Sequence, residues 1–177
     1  LNTKAIGFST RCLILVPTRE LAHQVLSLTN KLITGTKLQA ALILGGEDYH
    51  YQQALLRKNP DLVIATPGRF MEHQRKNQTD TEHLEMLVVD EADRMFDMGF
   101  YQDIRRIFRA LPAKTSRLTM LFSATLSFKV KQLASDFMQP PAEVTVNPEE
   151  VTVDAIKQQL YHVGKMEKIS LLLGLLK

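Results

Sequence analysis

The sequence lacks the residues that several classes of protein need. Its one cysteine, Cys12, cannot form a disulfide within the chain, and we expect a reducing, cytoplasmic location. The histidines show no His-x-x-x-His spacing and no pairing with cysteine, which argues against a zinc site. No apolar run approaches the roughly 18 residues that suggest a membrane span, so we expect no membrane partner.

A phosphate-binding loop of the form Gly-x-x-x-x-Gly-Lys-Ser/Thr is also missing from the 177 residues. Such a loop cradles the phosphates of a nucleotide with its main-chain amides. The remaining composition is that of an ordinary globular protein, with 45% hydrophobic and 23% charged residues. The net charge of +3 permits a nucleic-acid partner without requiring one.

Short apolar runs alternate with amphipathic stretches along most of the chain, which predicts an α/β fold with a parallel sheet and helices on both faces. The predicted strands are Cys12–Val16, Leu38–Leu44, Leu62–Ala65, Met86–Val89 and Leu118–Phe122. The predicted helices are Glu20–Ile33, Tyr49–Lys58, Arg69–Lys76, Tyr101–Leu111 and Lys129–Met138. Right-handed crossovers should bring the carboxyl ends of all the strands to one edge of the sheet.

The most informative segment is Leu84–Asp93, which reads LEMLVVDEAD. An apolar strand there ends directly at Asp90 and Glu91, and a carboxylate at that place is how nucleotide hydrolases hold Mg²⁺. On position alone, Asp90 could equally cap the next helix, and Glu91 could only complement the dipole of that helix. Further motifs are therefore needed to choose between these interpretations.

The other strand ends also carry polar or glycine-containing motifs that suit a nucleic-acid backbone. Arg19 and Arg69 can bind phosphate in a bidentate way, and glycines allow close approach to the main chain. Thr18 and Thr66 supply hydroxyl donors, and helix amino termini attract anions. Such contacts carry no base information, so we expect binding that is independent of sequence. For Arg19 the simpler alternative is a weak salt bridge with Glu20 or a neighbour.

Five motifs in this order resemble those of the first RecA-like domain of DEAD-box RNA helicases. They are PTRELA at Pro17–Ala22, GG at Gly45 and Gly46, TPGR at Thr66–Arg69, DEAD at Asp90–Asp93 and SAT at Ser123–Thr125. The segment from Asp103 to Ser127 is most similar to bacterial members of the RNA-degradosome (RhlB-like) type. The resemblance implies a RecA-like (P-loop NTPase type) fold, with ATP and Mg²⁺ as cofactors. It also implies an enzyme that couples ATP hydrolysis to the unwinding or remodelling of short RNA duplexes.

The resemblance further implies a role for each matched residue. Asp90 and Glu91 would contact ATP, with Mg²⁺ held at Asp90 through water, and Glu91 would orient and deprotonate the attacking water. Asp93 would join Ser123 and Thr125 in coupling the nucleotide state to RNA binding. The residues expected to bind the RNA sugar-phosphate backbone are Pro17, Thr18, Arg19, Gly45, Gly46, Thr66, Pro67, Gly68 and Arg69. Protein partners in an RNA-processing complex are also expected.

Members of this family carry an adenine-reading Q motif and the phosphate loop upstream of PTRELA, whereas this sequence begins at Leu1. We therefore expect an N-terminally truncated first RecA-like domain over residues 1–146, which includes a last strand at Ala142–Val146. Residues 147–155 should form a linker. Residues 156–177 should be the start of a second RecA-like domain, with a strand at Ile156–Val163 and a helix at Lys165–Leu176. Without the phosphate loop, the fragment itself should be inactive as an ATPase.

Two other classes of function compete with this interpretation. A non-catalytic RNA-binding or scaffold module would bind RNA in a salt-dependent way without ATP turnover. A metal-dependent nuclease would use Asp90, Glu91 and Asp93 with further carboxylates, for which Glu20 and Glu47 are the nearby candidates. A DNA helicase is disfavoured because the tetrad is DEAD and is accompanied by PTRELA and SAT.

Overall fold

The computed structural model describes residues 9–146 and 159–176, which fall into two units that divide after Pro141. The strands are β1 (Cys12–Leu15), β2 (Ala40–Ile43), β3 (Leu62–Ala65), β4 (Met86–Val89) and β5 (Leu118–Leu121). The helices are α1 (Arg19–Ile33), α2 (Tyr49–Leu56), α3 (Pro67–Arg75), α4 (Ala92–Asp97), α5 (Tyr101–Ala110), α6 (Phe128–Phe137) and α7 (Lys168–Leu175). All elements except α7 belong to the first unit.

The first unit is built on one parallel sheet with the strand order β2-β3-β1-β4-β5. The predicted parallel α/β architecture is therefore confirmed. All four residues of β3 are buried, because it has a strand on each side and apolar packing on both faces. At the end of the order, β5 has no buried residue, and Leu118 is 55% exposed.

Side chains from successive residues of β1 enter two separate hydrophobic clusters, one on each face of the sheet. Leu13 and Leu15 belong to the larger cluster, which also takes in Phe70 of α3 and buried side chains of α4, α5 and α6. Ile14 packs against the smaller cluster, which includes Ala22 of α1. This alternation follows from the two-residue repeat of a strand, and helices cover both faces as predicted.

Three of the helices begin at side chains that cap them. Thr18 precedes α1 and accepts a hydrogen bond from the Leu21 amide at 3.2 Å, and Asp48 precedes α2 and accepts one from Tyr51 at 2.6 Å. Ser127 caps α6 in the same way, through the amide of Val130. These caps satisfy amides that have no partner within the helix, which explains why the helices begin close to their predicted positions.

Two predicted strands are not formed. Residues 142–146 have no regular secondary structure, and all of them are exposed. The predicted strand at Ile156–Val163 is wrong over residues 159–163, which form no strand, and its first three residues lie outside the described range. An apolar run forms a stable strand only where a neighbouring strand can take up its backbone hydrogen bonds.

In the second unit, the predicted helix at Lys165–Leu176 is present as α7, with bounds Lys168–Leu175 and no buried side chain. The predicted linker, residues 147–155, lies outside the described residues. Over the described part of the chain, no helix combines the length and the apolar character needed to cross a membrane.

Candidate functional site

The motif residues gather at one edge of the sheet, because each motif directly follows the carboxyl end of a parallel strand. After β1 comes PTRELA, after β2 the glycine pair, after β3 TPGR, after β4 DEAD and after β5 SAT. Ligands of open α/β sheets bind in the crevices at these strand ends. The sheet therefore gives all five motifs access to a common surface.

Thr18 and Arg19 lie where β1 passes into α1. The hydroxyl of Thr18 is engaged in capping the helix, and Pro17 before it is buried. Arg19 is exposed, and in residues 9–146 and 159–176 the structure records no salt bridge for it. The alternative of a salt bridge with Glu20 or a neighbour is thus not realised among these residues.

The glycine pair forms a tight turn after β2. Gly46 has a φ of +80°, a left-handed conformation that favours glycine, and a side chain added there would lie 3.0 Å from Nη1 of Arg19. The amide of Gly45 donates to Oγ1 of Thr66 at 3.1 Å. The turn therefore lies against Thr66, which follows the neighbouring strand β3, and against Arg19, which follows β1.

TPGR forms the junction between β3 and α3, with Thr66 as the N-cap residue and Pro67 in the first turn. Arg69 is only 13% exposed, and protein groups surround its guanidinium. Nη1 donates to the carbonyl of Glu47 at 3.0 Å and to Oε1 of Gln52 at 3.2 Å, while Nε pairs with Glu72 at 3.2 Å. Among the described residues no hydrogen bond is recorded from Nη2, which leaves that nitrogen for a phosphate while Nη1 and Nε keep their protein partners.

The DEAD carboxylates follow β4 and are partly exposed. Oδ1 of Asp90 accepts a hydrogen bond from the amide of Glu91 at 2.9 Å. Glu91, 39% exposed, is the N-cap residue of α4 but makes no capping hydrogen bond, and its Oε2 accepts from Nη1 of Arg94 at 2.9 Å. Its backbone is left-handed, with φ +49° and ψ +51°, an uncommon conformation for a residue other than glycine.

Asp93, Ser123 and Thr125 meet as the sequence predicted. Oδ2 of Asp93 accepts hydrogen bonds from both the amide and the hydroxyl of Thr125, each at 2.8 Å. The Asp93 amide donates to Oγ of Ser123 at 3.3 Å, and that hydroxyl donates to the Thr125 carbonyl at 2.8 Å. These bonds join the first turn of α4 to the loop after β5, whereas the role of the three residues in coupling stays a prediction.

The same contacts set the electrostatic state of Asp93. Burial, the largest single influence, raises the pKa of this carboxyl group, but hydrogen bonds from Thr125, Arg94 and Ser123 together outweigh it. The pKa of Asp93 is therefore below its ordinary value, and the group is ionised at neutral pH.

The comparison with protein families decides what this set of motifs represents. A model described as DEAD/DEAH box helicase matches residues 4–133, which include every motif at the sheet edge. The chain belongs to the DEAD/DEAH box helicase family. The predicted family resemblance is thus confirmed.

Curated relatives of this DEAD-box chain include proteins named ATP-dependent RNA helicase RhlB. The chain is 46% identical over 167 residues to the RhlB of Aliivibrio fischeri (strain MJ11), covering 94% of this chain and 39% of that protein. It is 44% identical over 167 residues to the RhlB of Shewanella denitrificans, with the same two coverages. The chain thus spans about two fifths of the length of these relatives.

Solved structures agree with this DEAD-box assignment. A hypothetical ATP-dependent RNA helicase from Sulfolobus tokodaii is similar over 74% of this chain and 39% of its own, with TM-score 0.68 and 36% identity. The yeast DEAD-box splicing factor Prp28 is similar over 74% of this chain and 32% of its own, with TM-score 0.69 and 29% identity. The RecA-like fold class is therefore confirmed.

Two residues that contact the DEAD-box motifs were not predicted. Gln52 of α2 is completely buried and binds Arg69, and Arg94 pairs with Glu91. The sequence does not indicate the contact made by Gln52, because a glutamine on a helix is ordinarily a surface residue. Arg94 stands three positions after Glu91, a spacing at which helical side chains meet, so this pair could have been predicted.

The nuclease alternative receives no geometric support in this DEAD-box chain. Among residues 9–146 and 159–176, no group of at least three histidine, cysteine, aspartate or glutamate side chains could hold a metal ion. Glu47, one of the carboxylates that a nuclease would need, lies 3.7 Å from Nε2 of His23. Within the described part of the chain, the Asp90 carboxylate accepts a hydrogen bond from a backbone amide and the Glu91 carboxylate from an arginine, and no other hydrogen bond to either is recorded.

Proposed function

We propose that this chain is part of an ATP-dependent RNA helicase and carries the hydrolytic half of its ATP site. The observation that carries the proposal is the convergence of the five family motifs on one sheet edge, with Asp93 bonded to Thr125. The similarity to proteins named ATP-dependent RNA helicase supports the same activity for the longer protein. The other half of the site, the phosphate cradle, would come from residues outside this sequence.

Asp90 offers carboxylate oxygens, which are the protein ligands that Mg²⁺ prefers. One carboxylate oxygen is bonded to the Glu91 amide, and within the described residues no hydrogen bond is recorded to Oδ2. Asp90 is partly exposed, so Oδ2 can hold a water molecule of a hydrated ion, and Mg²⁺ usually keeps several of its waters. When bound with ATP, the ion supplies positive charge next to the β- and γ-phosphates.

Glu91 is the group that we assign to activation of the attacking water. Its side chain is accessible to solvent, and among the residues that the structure describes its one salt bridge is the exposed pair with Arg94. Exposed pairs of this kind contribute at most about 1 kcal/mol, so Glu91 can leave Arg94 when a water must be deprotonated.

Asp93, Ser123 and Thr125 are proposed to couple the nucleotide to RNA binding. Asp93 follows Glu91 by two positions, and it holds the loop after β5 through both the backbone and the side chain of Thr125. A shift of α4 on nucleotide binding therefore pulls on that loop directly. This linkage supports a positioning role for the three residues.

RNA is proposed to bind through its sugar-phosphate backbone along the ends of β1, β2 and β3. Arg19 and Gly46 are exposed there, and α1 and α3 both begin at this edge, where the dipoles of helix amino termini attract anions. Pro67 opens α3, where its preset φ suits the first helical turn, and Pro17 directly precedes the capping residue of α1. Thr18, Gly45, Thr66, Gly68 and Arg69 complete the proposed contact surface.

The division into a first RecA-like domain over 1–146, a linker over 147–155 and the start of a second domain over 156–177 belongs to the same proposal. A cytoplasmic location and protein partners in an RNA-processing complex likewise remain proposals. The family membership supports the domain order, and the single buried cysteine suits a reducing compartment.

The test is RNA-stimulated ATP hydrolysis by the full-length protein that contains this chain. Glu91→Gln should lower turnover roughly 10²–10⁴-fold, because it removes the general base while retaining the shape of the side chain. RNA affinity should be unchanged, since Glu91 lies outside the proposed RNA surface. Glu82→Gln, an exposed position before β4, is the matched control and should behave as wild type.

The 177-residue chain alone should show no RNA-stimulated ATP turnover, because it contains no phosphate loop. Turnover by this chain would contradict the proposed division of the ATP site. Salt-dependent RNA binding without ATP hydrolysis by the full-length protein would favour a non-catalytic RNA-binding or scaffold module. Cleavage of RNA in Mg²⁺ would instead support the nuclease.

A further inference from the structure

Gln52 is a buried polar residue that the proposed function does not use. It lies on α2 with its side chain 0% exposed, four residues before the buried Leu56 and therefore on the same face of the helix. Its Nε2 donates to the carbonyl of Leu44 at 2.9 Å, and its Oε1 accepts from Nη1 of Arg69 at 3.2 Å. One amide thus bridges the end of β2 and the first turn of α3.

These hydrogen bonds fix the turn that contains the glycine pair. Gln52 holds the carbonyl of Leu44, Thr66 holds the amide of Gly45, and Arg69 holds the carbonyl of Glu47. Three backbone groups close to Gly46 are thereby hydrogen-bonded to neighbouring elements. Gly46 itself stays exposed at the top of the turn, in its left-handed conformation.

The chemistry of an amide explains why glutamine can make this bridge. A carboxylate has no donor for the Leu44 carbonyl, an ammonium has no acceptor for Arg69, and an apolar side chain has neither. Burial of an amide is unfavourable unless both of its ends are hydrogen-bonded, and here both are. Arg69 then lies between Gln52 and the Glu47 carbonyl, so its position depends on the same bridge.

We propose that Gln52 is a positioning residue for RNA-backbone binding, which holds the Gly45–Gly46 turn and Arg69 in their binding arrangement before RNA arrives. This inference rests on the proposed RNA surface but assigns a role to a residue outside the motifs. A surface that is already ordered loses less conformational freedom on binding, and its affinity is higher for that reason. Gln52 acts through the turn and Arg69 and does not itself touch RNA.

The experiment uses Gln52→Met in the 177-residue chain, since methionine has a similar size and neither hydrogen-bonding group. Gln53→Met, at the adjacent half-exposed position on the same helix, is the matched control. Binding to a short fluorescein-labelled oligouridine is measured by anisotropy over a range of salt concentrations. Amide hydrogen exchange of Gly45 and Gly46 is measured without RNA, and the thermal unfolding midpoint of each variant is recorded.

Gln52→Met should weaken oligouridine binding about tenfold, the effect of losing one to two hydrogen bonds of ordinary strength. The exchange of the Gly45 amide should accelerate by a similar factor. The slope of log affinity against log salt should stay the same, because no phosphate contact is removed. Gln53→Met should match wild type in all of these measurements.

Wild-type affinity in Gln52→Met, or an unchanged exchange rate at Gly45, would overturn the inference. An equal loss of affinity in Gln53→Met would overturn it as well, because the effect would then be a general one of α2. Should Gln52→Met not fold, Gln52→Glu replaces it, since this variant keeps the acceptor for Arg69 and loses only the donor to Leu44. If wild type itself does not bind oligouridine, the proposed RNA surface fails, while the exchange rates still decide whether Gln52 orders the turn.

Discussion

The motifs at the ends of β2 and β3, the first half of the sheet edge, differ in organisation from those at the ends of β4 and β5, the second half. At the ends of β2 and β3, the polar groups of Gly45, Thr66 and Arg69 bind one another or the buried Gln52. At the ends of β4 and β5, the carboxylates of Asp90 and Glu91 are partly exposed, and β5 itself is incompletely covered. The first half forms a preordered surface for a polymer, whereas the second leaves its reactive groups open to a ligand and to water.

The largest expected effect tests the difference in packing between these halves. Phe70→Ala, at a fully buried position of α3 under the TPGR motif, should lower the free energy of unfolding by about 3–5 kcal/mol, because it removes a ring from the core. Phe128→Ala, at a position 80% exposed after the SAT loop, should change it by less than about 0.5 kcal/mol. Urea denaturation of both variants measures the contrast, and equal losses would contradict it.

A smaller effect on stability and RNA affinity distinguishes backbone strain at Gly46 from its contact with Arg19. Gly46→Ala and Gly99→Ala both place a side chain at a positive φ, so each should lose about 1–2 kcal/mol of unfolding free energy. At Gly46 the new carbon meets the Arg19 guanidinium, whereas at Gly99 no atom of the described residues lies within 4 Å of it. Oligouridine affinity should therefore fall severalfold for Gly46→Ala alone, and an equal fall for Gly99→Ala would argue against the Arg19 contact.

The smallest effect concerns the link between α4 and the loop after β5. Asp93→Asn replaces one acceptor oxygen by a donor and should lower the free energy of unfolding by about 1 kcal/mol at pH 7. Because the folded-state pKa of Asp93 is depressed, its contribution is present above the unfolded pKa of about 3.9 and is lost as the pH falls through the folded pKa.

Urea denaturation of wild type and Asp93→Asn between pH 7 and pH 3 checks this dependence. The difference between the two proteins should be steady down to about pH 4 and close below it. Asp97→Asn, at an exposed position of the same helix, is the control and should show no such difference. If the difference in unfolding free energy between wild type and Asp93→Asn grew as the pH fell, Asp93 would not be stabilised as a carboxylate.

Much of this arrangement follows from the sequence because parallel strands send all of their carboxyl ends to one edge. The five strands and their common edge were predicted in this way, whereas the meeting of Asp93 with Ser123 and Thr125 was implied by the family resemblance. The hydrogen bonds and the salt bridge of Arg69 were not predicted, because a sequence does not show which protein groups will lie next to a guanidinium. The left-handed backbone of Glu91 was also not predicted, since glutamate carries no preference for that conformation.

The predicted strand at Ala142–Val146 was wrong for a related reason. Its alternating apolar residues satisfy the pattern of a strand, but a strand also needs a neighbour of matching register, which local sequence does not specify. Gln52 illustrates the same limit on α2, because its importance comes from the Leu44 carbonyl and Arg69 and not from its place in the helix.

The exposed edge strand has a practical consequence for handling the protein. Within the described residues β5 pairs only with β4. Leu118 at its start is 55% exposed, and Phe122 directly after it is 53% exposed. A strand with open hydrogen-bonding groups and apolar side chains is a template for pairing with another molecule. The isolated chain is therefore prone to aggregate through this edge as its concentration rises.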